Sequence, residues 1–379
     1  MNLRFLCGIK AEYFRIRPYI KIFTMQELKI SPSLSEIHQA LIFDSPNSAK
    51  LQLKKSADEL AALGAKIITL EVFGGSGIKP AIEEFTKDAQ YPINWICPLN
   101  EKDKPELAGA HITAVKGAEP KFKRTPSGSA AVEYSDEYGS YCRTFGVTAP
   151  RATSDGYQHT IDNLNELEDT LWLFGYKYND IARTWFYNDD ILAWYDPFNK
   201  ARTDFYTERK IFDGLLPAST GIGAPNPTGK KIMSGAIAIK SPSKKISVCE
   251  LESPLQCGAP KYGSSFSRAV EISTPISRRI MVSGTASIEP GGKTAFVGDI
   301  ERQVDLTMKV ISAILESRGM TLKNTVRSVA YCLRPEYYEV FKAWMAKENL
   351  NIAHCPSFSI VCRDDLLFEV ELEAFAENS

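Results

Sequence analysis

One pattern recurs along this chain and limits its architecture more than any other feature. Around Gly175 the sequence reads GYKYNDIARTWFY, and around Gly319 it reads GMTLKNTVRSVAYC. Each glycine is followed eight residues later by an arginine, Arg183 or Arg327. Upstream of Gly175, Ile161, Leu164, Leu167, Leu171 and Phe174 share one helical face; upstream of Gly319, Val304, Met308, Ile311 and Leu315 do the same. Glycine is the expected stop for both helices, because it takes the left-handed C′ conformation without penalty. A second amphipathic stretch follows in each copy, marked by Trp194, Phe198, Ala201 and Phe205, then by Tyr337, Phe341 and Trp344. Strand-like runs open and close the copies at 141–147 and 232–240, and at 279–288 and 366–376. The repeating unit therefore reads β-β-α-β-α-β, an α+β layer with two helices on one sheet face.

A worn copy comes first. Residues 51–63 have a helical pattern ending at Gly64, 67–73 are strand-like, 82–85 open a second helix, and 111–115 form a last strand without acids. The expected division is a degenerate module at 25–120, a second at 121–245 and a third at 246–379. Residues 1–24 carry Arg4, Lys10, Arg15, Arg17 and Lys21, which break every apolar stretch. They read as an extension before a start at Met25, with a transit peptide as the other reading.

Composition narrows the function classes. Lys and Arg total 45 against 46 for Asp and Glu, a formal net charge of −1, with no basic surplus to hold nucleic acid. No apolar run approaches the roughly 20 residues of a membrane span. The eight cysteines form no C-x-x-C pair and several sit in apolar strand-like runs, the usage of reduced thiols in the cytoplasm. Four histidines (His38, His111, His159, His354) without H-x-x-x-H spacing argue against zinc, so the expectation is no metal and no cofactor.

The strand with Ser283-Gly284-Thr285-Ala286-Ser287, the glycine-stopped turn and the closing EVELEA strand resemble the RidA (YjgF) superfamily. That resemblance implies three RidA-like modules fused into an intrachain pseudo-trimer, with ligand sites between modules. The arginine that RidA deaminases place after a Pro-Ala pair is absent after Pro217-Ala218 and at Cys355-Pro356. A narrower resemblance is to the chorismatases. It rests on Arg183-Thr184-Trp185-Phe186-Tyr187, Pro217-Ala218-Ser219-Thr220-Gly221-Ile222-Gly223, Tyr262-Gly263 with Ser265-Phe266-Ser267-Arg268-Ala269, the SGTAS strand, and Cys362-Arg363 leading to Glu371. One departure is Pro290 to Phe296, where chorismatases show a histidine-bearing turn.

The chemistry implied is cofactor-free release of pyruvate from chorismate or a related enolpyruvyl ether. Protonating an enol ether needs a carboxylic acid that is still protonated near neutral pH. Glu369, Glu371 and Glu373 alternate with Val370 and Leu372, so the three carboxylates share one strand face. By family position Glu371 is the general acid; without the resemblance that face is equally a solvated one. Two substrate carboxylates call for guanidinium groups. Arg183 is implied as the carboxylate clamp, with Arg268 and Arg363 beside it; as plain residues they read as a surface arginine on aromatics and a turn salt bridge. Tyr262 is expected to donate a hydrogen bond, and Gly284 and Thr285 to offer backbone N–H groups. The alternative is a non-catalytic RidA-like protein that binds a small carboxylate. In either case the partner is a small molecule, not nucleic acid or membrane, and the chain is expected to be a monomer or weak dimer.

Overall fold

The computed structural model describes residues 23–100, 107–151, 155–259 and 263–378, so most of the N-terminal extension, with any assignment on it, lies outside the described residues. The first module holds β1 (Phe23–Lys29), β2 (Ser35–Phe43), α1 (Pro46–Ala62), β3 (Lys66–Phe73), α2 (Lys79–Thr86), β4 (Ile93–Ile96) and β5 (Ala108–Lys116). The second holds β6 (Lys121–Arg124), β7 (Ala130–Ser135), β8 (Ser140–Thr148), α3 (Gly156–Trp172), β9 (Ile181–Asn188), α4 (Ile191–Glu208), β10 (Ala218–Gly223) and β11 (Ile232–Lys240). The third holds β12 (Ser247–Leu251), β13 (Ala269–Ser273), β14 (Ser277–Ala286), α5 (Ile300–Glu316), β15 (Thr325–Cys332), α6 (Pro335–Lys347), β16 (Cys355–Phe358) and β17 (Phe368–Glu377).

The three sheets share one order. Each closing strand (β5, β11, β17) lies between a hairpin strand and a middle strand, antiparallel to both. A short strand then pairs parallel to the middle strand at the sheet edge. This edge strand is the element the β-β-α-β-α-β expectation lacks, because INWI, ASTGIG and CPSF are too short and mixed to show a period. The first module has the same five-stranded arrangement without the outer hairpin strand (β6 or β12) of the other two, and its α2 spans only 8 residues.

Local chemistry sets the helix ends. Ser45, Asp155, Asp190 and Asp299 each accept a backbone N–H at the start of α1, α3, α4 and α5. Gly64, Gly175 and Gly319 follow α1, α3 and α5 with φ of 67°, 73° and 71°, the left-handed turn expected of them. In α6 the inward face is Tyr338, Phe341 and Met345 rather than Tyr337, Phe341 and Trp344, so the sequence stripe is turned by one residue on its flanks. Among the described residues no helix is long and apolar enough to cross a membrane.

Each module packs its helices on one sheet face and builds a core there. The opposite sheet faces meet in a shared core that includes Leu28, Ile68, Tyr134, Phe145, Trp185, Val270, Met281 and Val329, drawn from all three modules. The edge strands close a ring, with β4 against β8, β10 against β14 and β16 against β5. Every module therefore has a seam where its edge strand meets the next module.

Candidate active site

The motifs singled out in sequence converge on the seam between the second and third modules. Ser267 N–H donates to Pro217 O (3.0 Å), and Ala218 bridges Ser267 in parallel. Ser219 N–H donates to Ser283 Oγ (2.9 Å), and that hydroxyl donates to Ser267 O (2.6 Å). Gly223 and Ile360 exchange backbone hydrogen bonds of 2.7 and 2.9 Å. Small residues are needed here because two backbones approach closely. A Cβ on Gly223 would stand 2.7 Å from Ile191 Cγ2 and 3.2 Å from the Ile360 carbonyl oxygen.

A cavity of about 340 Å³ opens along this seam. The segment before β13 contributes Ser264, Phe266 and Arg268; α4 contributes Tyr195, Asp196 and Arg202; β14 contributes Gly284; the loop after β16 contributes Cys362 and Arg363; β17 contributes Glu369. Helix α4 bends over it, with non-helical angles at Trp194 and a proline at Pro197. Arg202 and Arg268 are buried. The Arg202 guanidinium faces the rings of Phe198, Phe186 and Phe266 at 5.1, 5.8 and 5.9 Å, and its Nε has no hydrogen-bond partner among the described residues. Cation–π contact with apolar walls holds it ready for an anion without quenching its charge.

Val370 and Leu372 of β17 pack in the helix-side core, so Glu369, Glu371 and Glu373 share the other face. Their surroundings differ. Glu369 is 5 % exposed and lines the cavity; burial, then the neighbouring Glu371 charge, push its carboxyl up to about 8 against the pull of Arg183 and Arg268. Gly284 makes the space for it: a Cβ there would stand 2.0 Å from Glu369 Oε1.

Glu371 does not line the cavity. Its carboxylate accepts from Arg183 Nη2 (2.8 Å), Arg327 Nη1 (2.8 Å) and Trp185 Nε1 (2.8 and 2.9 Å), in the shared core behind Glu369. Arg183 is likewise withdrawn: besides Glu371 it donates to Thr220 Oγ1, and it lines no part of the cavity. The acid and the clamp expected from sequence thus pair with each other. Arg327 also engages Glu71 of the first module, and His111 lies 3.6 Å from that carboxylate. Burial would raise the Glu71 carboxyl, but Arg327 and His111 hold it at about 2.

The other expected residues divide. Arg268 and Arg363 are on the cavity wall; Arg268 Nε donates to Cys257 O (3.0 Å), and Arg363 Nη1 donates to Gly292 O (2.7 Å), tying down the turn at Pro290 to Phe296. Gly284 is there too, but its N–H donates to Thr220 Oγ1 (3.0 Å) rather than facing open space. Thr285 is buried in the sheet with its hydroxyl on Ser283 O (2.8 Å). Tyr262 lies outside the described residues. Sequence reasoning missed Arg202, although a cation four residues after Phe198 inside an apolar stripe was a usable signal. It also missed Glu71, the lone acid in the KIITLEVF strand.

A second buried cluster joins Glu36, His38 and Glu373, whose ligand-type atoms lie close enough together to hold an ion. The positions are already spoken for. Arg143 and Arg279 reach Glu36 at 2.6 and 2.7 Å, Tyr134 donates to it at 2.6 Å, and Arg279 pairs with Glu373 at 3.1 Å. Two guanidinium groups against two carboxylates make this an ion-pair knot between the three modules.

No family model matches the chain. A chorismatase from Streptomyces rapamycinicus is 30% identical over 168 residues, which span 40% of this chain and 47% of that protein. The crystal structure of a chorismatase superposes with a TM-score of 0.62 at 19% identity, covering 81% of this chain and 92% of the other. The RidA of the Antarctic bacterium Psychrobacter sp. is 17% identical and covers 33% of the chain and 98% of itself, with a TM-score of 0.28. The long superposition and the three repeated sheets together establish the architecture. The chain has the fold of that chorismatase, built from three repeated mixed sheets, and part of its sequence is similar to a chorismatase.

Proposed function

We propose that the chain releases pyruvate from chorismate or a closely related enolpyruvyl ether, with Glu369 as the general acid. The observation that carries this reading is the buried Glu369 carboxyl, pushed up to about 8 first by desolvation, on the wall of a cavity that also presents Arg202, Arg268 and Arg363. An acid with a midpoint near the working pH is both present in its acid form and able to give up its proton. Glu371 is poorly suited to the same role, because Arg183, Arg327 and Trp185 stabilise its ionised form.

The steps follow from the charges. The substrate carboxylates pair with the wall guanidinium groups, which orients the enol ether towards Glu369. Glu369 gives its proton to the terminal methylene carbon of the enolpyruvyl group, and an oxocarbenium forms at the ether carbon. Water adds to that carbon and loses a proton, and the hemiketal collapses to pyruvate and the ring alcohol. The Glu369 carboxylate recovers a proton from the attacking water, so one water is consumed per turnover. The site closes within one polypeptide, and the working form we propose is a monomer.

Purified protein is incubated with chorismate and pyruvate is assayed. Wild type is expected to release pyruvate and Glu369→Gln to lose at least about 100-fold in rate. No pyruvate from wild type, or equal rates from the two proteins, refutes the reading. Thermal stabilisation by chorismate without product would instead identify a binding protein on the same scaffold.

A further inference from the structure

Glu71 belongs to the one module that lends no side chain to the cavity wall, yet it is fully buried and reaches the floor beneath Glu369. Arg327 turns its Nε and Nη2 to Glu71, which leaves Nη1 for Glu371. Glu371 thus keeps an oxygen for Arg183, whose Nη2 it binds at 2.8 Å. The floor holds two guanidinium groups and two carboxylates, and with Glu369 protonated it is electrically neutral.

We propose that Glu71 is a positioning residue for the cavity acid: by occupying Arg327 it keeps Arg183 on Glu371 and away from Glu369. The inference rests on Glu369 being the reacting group. If Glu71 lost its charge, Arg327 would present its whole fork to Glu371 and displace Arg183. The Nη1 of Arg183 has no hydrogen-bond partner among the described residues, and Glu369 is the next carboxylate along the same strand face. A guanidinium delivered there would stabilise the ionised acid and empty its proton at neutral pH.

The groups facing Glu369 are few. Cations approach from β9 (Arg183), the segment before β13 (Arg268), α4 (Arg202) and the loop after β16 (Arg363, beside the Cys362 thiol). The anions are Glu371 on its own strand and Asp196 on α4, with Tyr195 beside it; Tyr331 lies opposite in the sheet. None of them belongs to the first module, and the contact path from Glu71 to them runs through Arg327 and Glu371.

The test reads the titration of Glu369 directly, by infrared difference spectra of the carboxyl band assigned with Glu369→Gln. In Glu71→Gln the midpoint is expected to fall by about one unit or more relative to wild type. In Glu71→Gln/Arg327→Gln, which removes both members of the pair and restores neutrality, it is expected to return towards the wild-type value. An unchanged midpoint in the single variant overturns the proposal. So does a double variant that stays as low as the single one, since loss of packing rather than of charge would then be responsible. If the single variant does not fold, the double variant decides: a midpoint within about half a unit of wild type supports the proposal, and a lower one refutes it. The titration needs no turnover, so the two failures are read separately: absence of pyruvate sinks the proposed reaction, and an unchanged midpoint sinks the role of Glu71.

Discussion

Replacing Glu369 by glutamine should stabilise the protein, and only above a definite pH. In the unfolded chain this carboxyl titrates near its ordinary value of 4.5, and in the folded protein near 8. Between those values the folded state holds a proton that the unfolded chain has released. The free energy of unfolding therefore falls as pH rises through the window, and the loss is complete above the folded value. A displacement of about 3.5 units at about 1.4 kcal/mol per unit sets an upper bound of about 5 kcal/mol. Reorientation of Arg183 and Arg268 towards the new charge, and entry of water from the cavity, reduce that figure. Glutamine has nearly the same shape and cannot ionise, so the variant escapes the penalty. Urea unfolding of both proteins from about pH 5 to about pH 9 should show a stability gap opening in favour of Glu369→Gln. The slope should approach about 1.4 kcal/mol per pH unit in the middle of the window. A flat gap, or a variant that becomes the weaker protein at high pH, would show that Glu369 is ionised in the fold and unsuited to donate a proton.

Two further substitutions test the seat of the acid and the knot behind it. Gly284→Ala places a methyl group 2.0 Å from Glu369 Oε1 and 3.2 Å from Thr220 Cγ2, so pyruvate release should fall at least about tenfold while thermal unfolding reports a cost of about 1–3 kcal/mol. Unchanged turnover would mean that the carboxyl works from another position. Glu36→Gln leaves Arg143 and Arg279 without their shared buried partner, and chemical denaturation should register a loss of about 3–5 kcal/mol. A loss below about 1 kcal/mol would indicate that water reaches the cluster.

Periodicity made the middle and closing strands and the helices legible, because each presents a buried stripe or a buried alternation to one layer. It also placed the three glutamates of β17 on one face. It could not say which of them meets a cavity, since that depends on how the second module docks against the third. Along β17 the docking leaves Glu369 at the seam, Glu371 opposite Arg183 and Trp185, and Glu373 against Arg279. The grouping of Arg183 with Trp185 and Tyr187 pointed to a special face, but that face is the shared core rather than the cavity. Arg202 is masked in the sequence because Phe198, Ala201 and Phe205 explain α4 as an ordinary amphipathic helix; at 3 % exposure its charge is met by three phenylalanine rings, the Asn199 side-chain oxygen (3.1 Å) and the open cavity.

The modules differ at the positions that build the proposed site. A ring of identical modules would repeat the same side chains in each of its clefts. Here the residue paired with Tyr331 of β15 is Glu369, the one paired with Tyr187 of β9 is Met233, and the one paired with Phe73 of β3 is Gly109. Two residues earlier on the middle strands stand Val329, Trp185 and Glu71, paired with Glu371, Gly235 and His111 in turn. Three equivalent positions have thus become an apolar spacer, an N–H donor to Glu371 and a counter-charge to Arg327. A ring of three identical chains cannot assign these parts separately, whereas this polypeptide places each of them once. Under the role proposed for Glu71, the first module then serves the cavity of the third by fixing the charge balance of its floor.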